Sequence, residues 1–122
     1  MIGFYLTDAM FILMASIEDF QKIELRVGKI VDVTDAETKK PMYVLKVDFG
    51  NAGARQIVAG IKPYYSKEEI LGKKFIFVFN LDSKKIANTL SEGMILAASN
   101  EEKDKVVILQ PERDIETGAR VS

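Results

Sequence analysis

The sequence predicts an all-β protein, a small barrel of five strands with one short helix between the third and fourth strands. Three observations lead to this fold class. Five segments either alternate apolar with polar residues or form short apolar runs, as strands do. A helix cap and a glycine stop signal bracket one short polar segment between the third and fourth of them. Gly28 interrupts the long first strand, and a small barrel needs such a position to close.

The first structured element is predicted at Ser16. Ser16 and Asp19 have the spacing of a capping box, which indicates about one turn of helix. Apolar residues then alternate with polar ones from Ile23 to Val33. We therefore expect one long first strand with a bulge or sharp bend at Gly28.

The later strands follow from the same patterns and are expected over residues 43–49, 55–61, 74–79 and 94–99, with a short extra strand at 106–109. Between the third and fourth strands, Ser66 and Glu69 form a second capping box and Gly72 marks a stop, which predicts a helix over Ser66–Leu71. The tail from Pro111 is expected to be irregular. This order fits a five-stranded Greek-key barrel of the oligonucleotide/oligosaccharide-binding (OB) kind, although other small β barrels share the pattern.

Residues 1–15 are predicted to be an apolar N-terminal extension, and residues 16–122 are assigned to the barrel domain. The extension is too short to span a bilayer and lacks the basic start of a signal peptide. We expect it either to lie upstream of a natural start near Met14 or to pack on the protein surface or across a subunit contact. A cytoplasmic location without a membrane partner is expected.

The amino-acid composition excludes several kinds of metal, catalytic and nucleic-acid-binding site. The 122 residues include no Cys and no His, so thiolate metal sites and the commonest general base are absent. The formal charge is −1, so nucleic-acid binding cannot rest on an overall basic surface. Asp32, Asp35 and Glu37 are candidate acids without a recognisable catalytic partner. We expect no catalytic residue, no metal and no cofactor.

The candidate binding segment is Asn80–Met94, a polar stretch between two buried strands. It is too long for a tight hairpin, and it carries the adjacent lysines Lys84 and Lys85. Segments held by stiff strands often carry binding residues. An ordinary solvated loop is the alternative interpretation.

Five ordered blocks carry a resemblance to a known family: 20–30, 55–61, 72–74, 80–81 and 91–94. Together they resemble the stand-alone tRNA-binding domain, which occurs as a C-terminal domain or β subunit of methionyl-tRNA synthetase and as a small bacterial structure-specific tRNA-binding protein. The resemblance implies an OB barrel, a homodimer, binding to the outer corner of tRNA and no catalysis by this chain. It also implies the catalytic subunit of methionyl-tRNA synthetase as a further partner.

On this resemblance, we predict six RNA-binding residues: Arg55, Asn80, Lys84, Lys85, Ser91 and Met94. The three cationic side chains would contact phosphates, and the neutral ones would supply hydrogen bonds or apolar contacts. Each position also has a structural interpretation. The asparagine could cap a strand, the arginine could pair with Asp48, the lysines could be plain surface charges, and the last two residues could fill a turn and the core.

Two aromatic and two charge features complete the expectations for binding. Tyr43 and the pair Tyr64 and Tyr65 could stack on bases, but core packing or a subunit contact is favoured. The family usually has a basic stretch after its Asn-Leu pair, whereas Asp82 and Ser83 follow it here. The charges of Asn80–Met94 sum to zero, so we expect modest tRNA affinity and a shallow salt dependence.

A second resemblance leads to a different function. Val47–Gly50 and Val107–Pro111 are similar to a homodimeric, secretion-linked chaperone family with the same barrel. That resemblance implies binding of unfolded polypeptides. The chaperone family tends to lack the Val-Ala-Gly and Ser-Glu-Gly-Met blocks, which are present here, so this interpretation comes second.

Overall fold

The computed structural model describes residues 14–122, so the predicted apolar extension lies almost wholly outside the described residues. Two short helices occur in this part of the chain, α1 (Ile17–Gln21) and α2 (Lys67–Ile70). A single 3₁₀ turn spans Gly50–Ala52. The strands are β1 (Leu25–Asp35), β2 (Tyr43–Asp48), β3 (Ala54–Ala59), β4 (Lys74–Val78), β5 (Lys84–Ile86), β6 (Thr89–Ser91), β7 (Met94–Ile95), β8 (Ala97–Ser99), β9 (Val106–Ile108) and β10 (Arg120–Val121).

The main antiparallel sheet has the strand order β3-β2-β1-β4-β7 and forms a nearly closed barrel. The long β1 serves two neighbours, because Leu25–Lys29 pairs with β4 and Lys29–Asp35 pairs with β2. The predicted all-β fold, with its helix between β3 and β4, is therefore confirmed.

Gly28 lies within the continuous β1–β4 ladder and faces the core. The register of the β1–β2 ladder shifts at Val31, so the bulge lies there and the prediction of a bulge at Gly28 is wrong. A Cβ atom on Gly28 would lie 2.5 Å from Cγ1 of Val47 and 2.7 Å from the ring of Phe49. Glycine is thus needed at this position because core side chains pack directly against its backbone.

The core fills the barrel with side chains from alternate strand positions, and the largest fully buried ones are Phe49, Phe77, Ile30, Leu45, Ile57, Ile70 and Val47. Phe49 contacts Phe77 and Phe79 edge to face, with ring centroids 5.5 Å and 5.0 Å apart. Each such pair contributes roughly 0.5–1.5 kcal/mol beyond its buried area. This aromatic cluster lies at the end of β4, directly before the candidate binding segment.

Both predicted capping boxes are present, and each pairs a serine hydroxyl and a carboxylate with two backbone N–H groups. Helix α2 packs Ile70 against the core, whereas α1 has no buried residue. The apolar side chains of α1 are instead exposed to solvent, with Ile17 at 62% and Phe20 at 40%. An exposed apolar helix face of this kind is typical of a contact surface.

The predicted fifth strand changes partners in its middle. β7 pairs with β4 in the barrel, whereas β8 pairs with β9 outside it. Between them, the N–H of Leu96 donates to the carbonyl of Ile76, and the carbonyl of Leu96 accepts from Leu109. The single expected strand over 94–99 is therefore two strands, because the chain leaves the barrel sheet at Leu96.

The C-terminal tail ends in a short strand, although the sequence predicts an irregular path. β10 pairs with the first residues of β1. The N–H of Gly118 donates to the carbonyl of Val27 at 2.7 Å, and the guanidinium of Arg26 donates to the carbonyl of Gly118 at 2.8 Å. A strand of two residues is too short for alternation to be visible in the sequence.

Candidate nucleic-acid interface

The middle of Asn80–Met94 is a two-stranded hairpin, residues 84–91, which we call the arm. β5 and β6 pair antiparallel, with Lys85 opposite Leu90. The two residues between them, Ala87 and Asn88, have φ angles of 50° and 60°, as the primed hairpin turns require. The whole connection, Asn80–Met94, is too long for a tight hairpin, as predicted. Its central residues, 84–91, nevertheless form a tight hairpin.

Lys84 and Lys85 lie on the arm with exposed side chains. Among residues 14–122, neither lysine lies within ion-pair distance of a carboxylate. Leu90 is half exposed beside Lys85. The arm therefore offers two uncompensated cations and an apolar side chain to a partner.

Ser91 lies at the point where the barrel closes. Its side chain is only 3% exposed. The hydroxyl accepts the N–H of Val58 at 3.0 Å and donates to the carbonyl of Gly93 at 3.3 Å. Next to it, the N–H of Glu92 donates to the carbonyl of Gln56, and the carboxylate of Glu92 accepts the N–H of Gln56. These bonds supply the free edge of β3 with a partner.

Asn80 joins the end of β4 to the chain that leads into β1. Its Oδ1 accepts the N–H of Glu24 at 2.7 Å, and its Nδ2 donates to the carbonyl of Lys22 at 2.7 Å. These partners are 56 and 58 residues away, so the side chain makes a long-range bridge where the sequence suggests a local cap. An amide oxygen and nitrogen each keep capacity for one more hydrogen bond.

Arg55 stacks on an aromatic ring at the edge of the barrel. Its Cζ lies 4.3 Å from the ring centroid of Phe79, and Cζ of Arg26 lies 5.4 Å from the same centroid. Arg26 forms an ion pair with Glu24, whereas Arg55 has no carboxylate partner among the described residues, Asp48 included. A stacked guanidinium still presents its N–H edge to oxygen acceptors.

The structure packs the arm against β3, the strand that carries Arg55. β3, which carries Arg55, contacts β6, and Nε2 of Gln56 donates to the carbonyl of Leu90 at 3.0 Å. Met94 is half exposed where the chain rejoins the barrel, opposite Val78. Gln56 is missing from the sequence prediction because a glutamine in an alternating strand looks like an ordinary exposed residue.

The tyrosines are used within the chain. Tyr43 is buried and donates its hydroxyl to the carbonyl of Tyr65. The hydroxyl of Tyr65 accepts the N–H of Ile108, and the hydroxyl of Tyr64 donates to the carbonyl of Lys103. This arrangement agrees with the favoured interpretation of packing over base stacking.

Residues 14–122 contain neither a cluster of metal-ligating side chains nor a membrane-spanning helix. The described acidic side chains form no group of three that could hold a metal ion. Neither described helix has the length and apolar composition that crossing a membrane requires.

A small barrel with a cationic arm at its rim is the architecture of a nucleic-acid-binding module. A family model described as "Putative tRNA binding domain" matches residues 25–120. The chain belongs to this family of tRNA-binding domains.

Three relatives illustrate the range of the family. The chain is 47% identical over 104 residues to the methionine–tRNA ligase of Thermococcus onnurineus (strain NA1), a match that covers 85% of this chain and 14% of the ligase. It is similar to the structure of a MetRS related protein from Pyrococcus horikoshii, with 37% identity, a TM-score of 0.83 and coverage of 89% and 98%. It is also similar to the chaperone CsaA from Bacillus anthracis str. Ames, with 34% identity, a TM-score of 0.83 and coverage of 89% and 99%.

The chain spans only 14% of the length of the Thermococcus onnurineus ligase and 16% of that of the methionine–tRNA ligase of Caldanaerobacter subterraneus subsp. tengcongensis. The two structural relatives are matched over nearly their whole length. The chain is therefore similar both to one domain of a large ligase and to whole small proteins.

Proposed function

We propose that the chain is a structure-specific, non-catalytic tRNA-binding protein that captures the outer corner of tRNA. It would act as an accessory (β) subunit of methionyl-tRNA synthetase or as a homologue of that enzyme's tRNA-binding domain. The observation that carries the proposal is the arm, which holds Lys84 and Lys85 without carboxylate partners among residues 14–122 and contacts β3, the strand that carries the stacked Arg55. Family membership and the ligase relatives support it.

The contacts suit recognition of RNA by shape. Duplex regions of RNA display phosphates and 2′-hydroxyls and expose little base identity to side chains. The lysines and Arg55 provide phosphate contacts, and the unused hydrogen-bonding capacity of Asn80 suits a 2′-hydroxyl. Met94 offers an apolar contact at the root of the arm. We assign Ser91 to holding the arm in position, because its hydroxyl is buried and already bonded.

The proposal includes a homodimer in the cytoplasm. Met14, Ile17, Phe20 and Ile23 are all exposed apolar residues in or beside α1, and a subunit contact would cover them. Light scattering at micromolar concentration is expected to give twice the mass of one chain. A stable monomer at that concentration would contradict this part of the proposal. Gel filtration with the catalytic subunit of a methionyl-tRNA synthetase tests the second partner.

The decisive experiment compares tRNA affinity at several salt concentrations for the parent and for Lys84→Gln/Lys85→Gln. Two lost phosphate contacts should reduce the slope of log affinity against log salt by about 1.5. Lys103→Gln/Lys105→Gln, in the exposed turn between β8 and β9, is the matched control and should leave the slope unchanged. A short RNA duplex, which lacks the tertiary fold of tRNA, is the competitor that tests whether binding is specific for tRNA structure. If the arm variant folds and binds tRNA with the parental slope, the arm is not the site.

A second function has specific support. The chain is similar to the chaperone CsaA, and an apolar depression of about 280 Å³ lies between Val31, Lys46 and the Ala54–Gln56 stretch. An extended polypeptide could place a side chain there. If the parent shows no tRNA binding at low salt but retains an unfolded polypeptide, peptide binding replaces tRNA binding as the function.

A further inference from the structure

A basic cleft lies at the opposite end of β4 from the arm. It has a volume of about 500 Å³, and its walls are Gly72–Lys74 and Gln110–Asp114, with Lys29 between them. Lys29 is paired with Lys74 in the β1–β4 ladder, whereas the arm departs beyond Val78. At about 3.3 Å per residue, the two ends of β4 are roughly 13 Å apart. The cleft is thus separate from the candidate interface.

Positive charge exceeds negative charge in this cleft. Two carboxylates face four cationic side chains there: Glu112 and Asp114 against Lys29, Lys73, Lys74 and Arg113. Nζ of Lys74 donates to Asp114 at 2.9 Å, and Arg113 pairs with Glu112 at 3.1 Å. Among residues 14–122, Lys29 and Lys73 lie within ion-pair distance of no carboxylate. The cleft therefore keeps two cations outside any ion pair, and only the weaker, longer-range charges of Asp114 and Glu69 act on Lys29 and Lys73.

The cross-strand pairing places two like charges side by side in the cleft. Lys29 and Lys74 are directly opposite each other on antiparallel strands, where like charges destabilise the pair. Asp114 offsets the charge of Lys74, and the side chain of Lys29 is exposed to solvent. Such like-charge pairs depart from the usual pattern of cross-strand pairing, and departures of this kind are often found at functional sites.

The walls of the cleft are held in place by hydrogen bonds. The N–H of Gly72 donates to the carbonyl of Ile30 at 2.8 Å, and the N–H of Ile30 donates to the carbonyl of Lys73 at 3.0 Å. Nζ of Lys74 also donates to the carbonyl of Ile115 at 2.6 Å, so it joins one wall to the other. An anion would therefore meet cations on a prearranged backbone, which limits the entropy lost on binding.

We propose that this cleft binds a phosphate group through Lys29 and Lys73, and that in the tRNA complex the group is a backbone phosphate. The RNA source of the phosphate rests on the proposed function, whereas the affinity for phosphate does not. Ammonium groups bind phosphate as compact charges that do not require one fixed geometry, which suits an open cleft. The tRNA is then held at the arm and at a second point near the opposite end of β4.

The first test uses inorganic phosphate alone. Titration of the ¹⁵N-labelled protein should shift the amide signals of Gly72 and Lys73 to saturation, with sodium chloride of equal ionic strength as the control. Lys29→Gln/Lys73→Gln should abolish the saturable shift. Linear shifts equal to those in chloride would overturn the phosphate site.

The second test measures tRNA affinity against salt for Lys29→Gln/Lys73→Gln, with Lys103→Gln/Lys105→Gln as the matched control. Loss of two contacts should reduce the slope by about 1.5, so raising salt from about 50 to about 200 mM should weaken the variant about eightfold less than the parent. If the variant keeps the salt slope of the parent while the parent shows saturable phosphate shifts, the cleft does not bind tRNA. It is then a site for a small phosphorylated compound. If the parent binds no tRNA, the proposed function fails. The phosphate titration alone then shows whether the cleft binds phosphate.

Discussion

The hydroxyl oxygen of Ser91 lies 3.0 Å from the backbone nitrogen of Val58, 33 residues away in the chain. Val58 is buried, so its N–H needs a partner inside the protein. That partner is a side chain where a strand carbonyl would ordinarily stand. This hydrogen bond and the one from Gln56 to the carbonyl of Leu90 thus join the barrel to the arm.

Ser91→Ala should lower the free energy of unfolding by about 1–3 kcal/mol, because a buried N–H loses its acceptor. Urea denaturation measures the change. Ser99→Ala removes an exposed hydroxyl on β8 and should change stability by less than about 0.5 kcal/mol. A Ser91→Ala protein with the parental denaturation midpoint would show that this hydroxyl does not hold the barrel closed.

Asn80→Ala should release the chain between α1 and β1 from the end of β4. Two hydrogen bonds are lost, each contributing about 0.5–1.5 kcal/mol, and the Glu24 amide should exchange faster with solvent. We also expect weaker tRNA binding with an unchanged salt slope, because the side chain is neutral. Asn80→Asp keeps an acceptor for Glu24 but places a carboxylate against the Lys22 carbonyl, so it should not rescue the bridge. Parental exchange at Glu24 in both variants would contradict this role.

Ala87→Asn/Asn88→Gly should stabilise the protein by about 1 kcal/mol, because Asn-Gly suits the positive φ angles of this turn better than Ala-Asn. A better-formed arm holds its lysines in place, so tRNA affinity should rise as well. Lys103→Gly, at φ 57° in the turn between β8 and β9, should stabilise without changing affinity. Denaturation and tRNA titration together separate the two effects. Stabilisation by Lys103→Gly alone would mean that the arm is not formed in solution.

Asp35 should make the free energy of unfolding depend on pH in the acidic range. Its carboxylate lies 3.1 Å from Nζ of Lys62 and 3.4 Å from Nζ of Lys67. The hydrogen bond from Lys62, aided by the charges of both lysines, lowers the pKa of Asp35 from its ordinary value of 3.8. A lowered pKa stabilises the fold fully above the unfolded value, and this contribution is lost as pH falls through the folded value.

The corresponding variant is Asp35→Asn. It should be less stable than the parent near neutral pH, and the difference should disappear once the pH lies below the folded-state pKa of Asp35. Denaturation midpoints over an acid series measure this. Asp32→Asn removes a nearby carboxylate that forms no ion pair among the described residues and is the matched control. A parent–variant difference that stays constant with pH would show that the ion pairs contribute nothing.

The elements that the sequence predicts well are those whose signals are local. The capping boxes at Ser16 and Ser66 and the alternation through β1 and β2 lie within a few neighbouring residues, and the structure contains all of them. The sequence does not predict the hairpin within Asn80–Met94, because its turn, Ala87-Asn88, contains no glycine. β10 was missed because it exists only through pairing with the distant β1.

The candidate site also contains residues with local sequence signals and residues whose roles depend on distant partners. Lys84 and Lys85 are visible in the sequence as adjacent charges in a polar segment. The roles of Ser91, Asn80 and Gly28 depend on Val58, Glu24 and Val47, and no pattern within one segment reveals such partners. A buried serine and an exposed one look alike when only their neighbours in the chain are known.

The arm is attached to the barrel by its last residue and by Gln56, while its lysines face solvent. Substitutions at 84, 85 and 90 therefore alter what the surface presents and leave the residues that fold the barrel untouched. If the proposed function holds, variation at this hairpin would change RNA preference one side chain at a time, without compensating changes elsewhere. The same separation makes the arm a suitable position for grafting a foreign recognition sequence onto the scaffold.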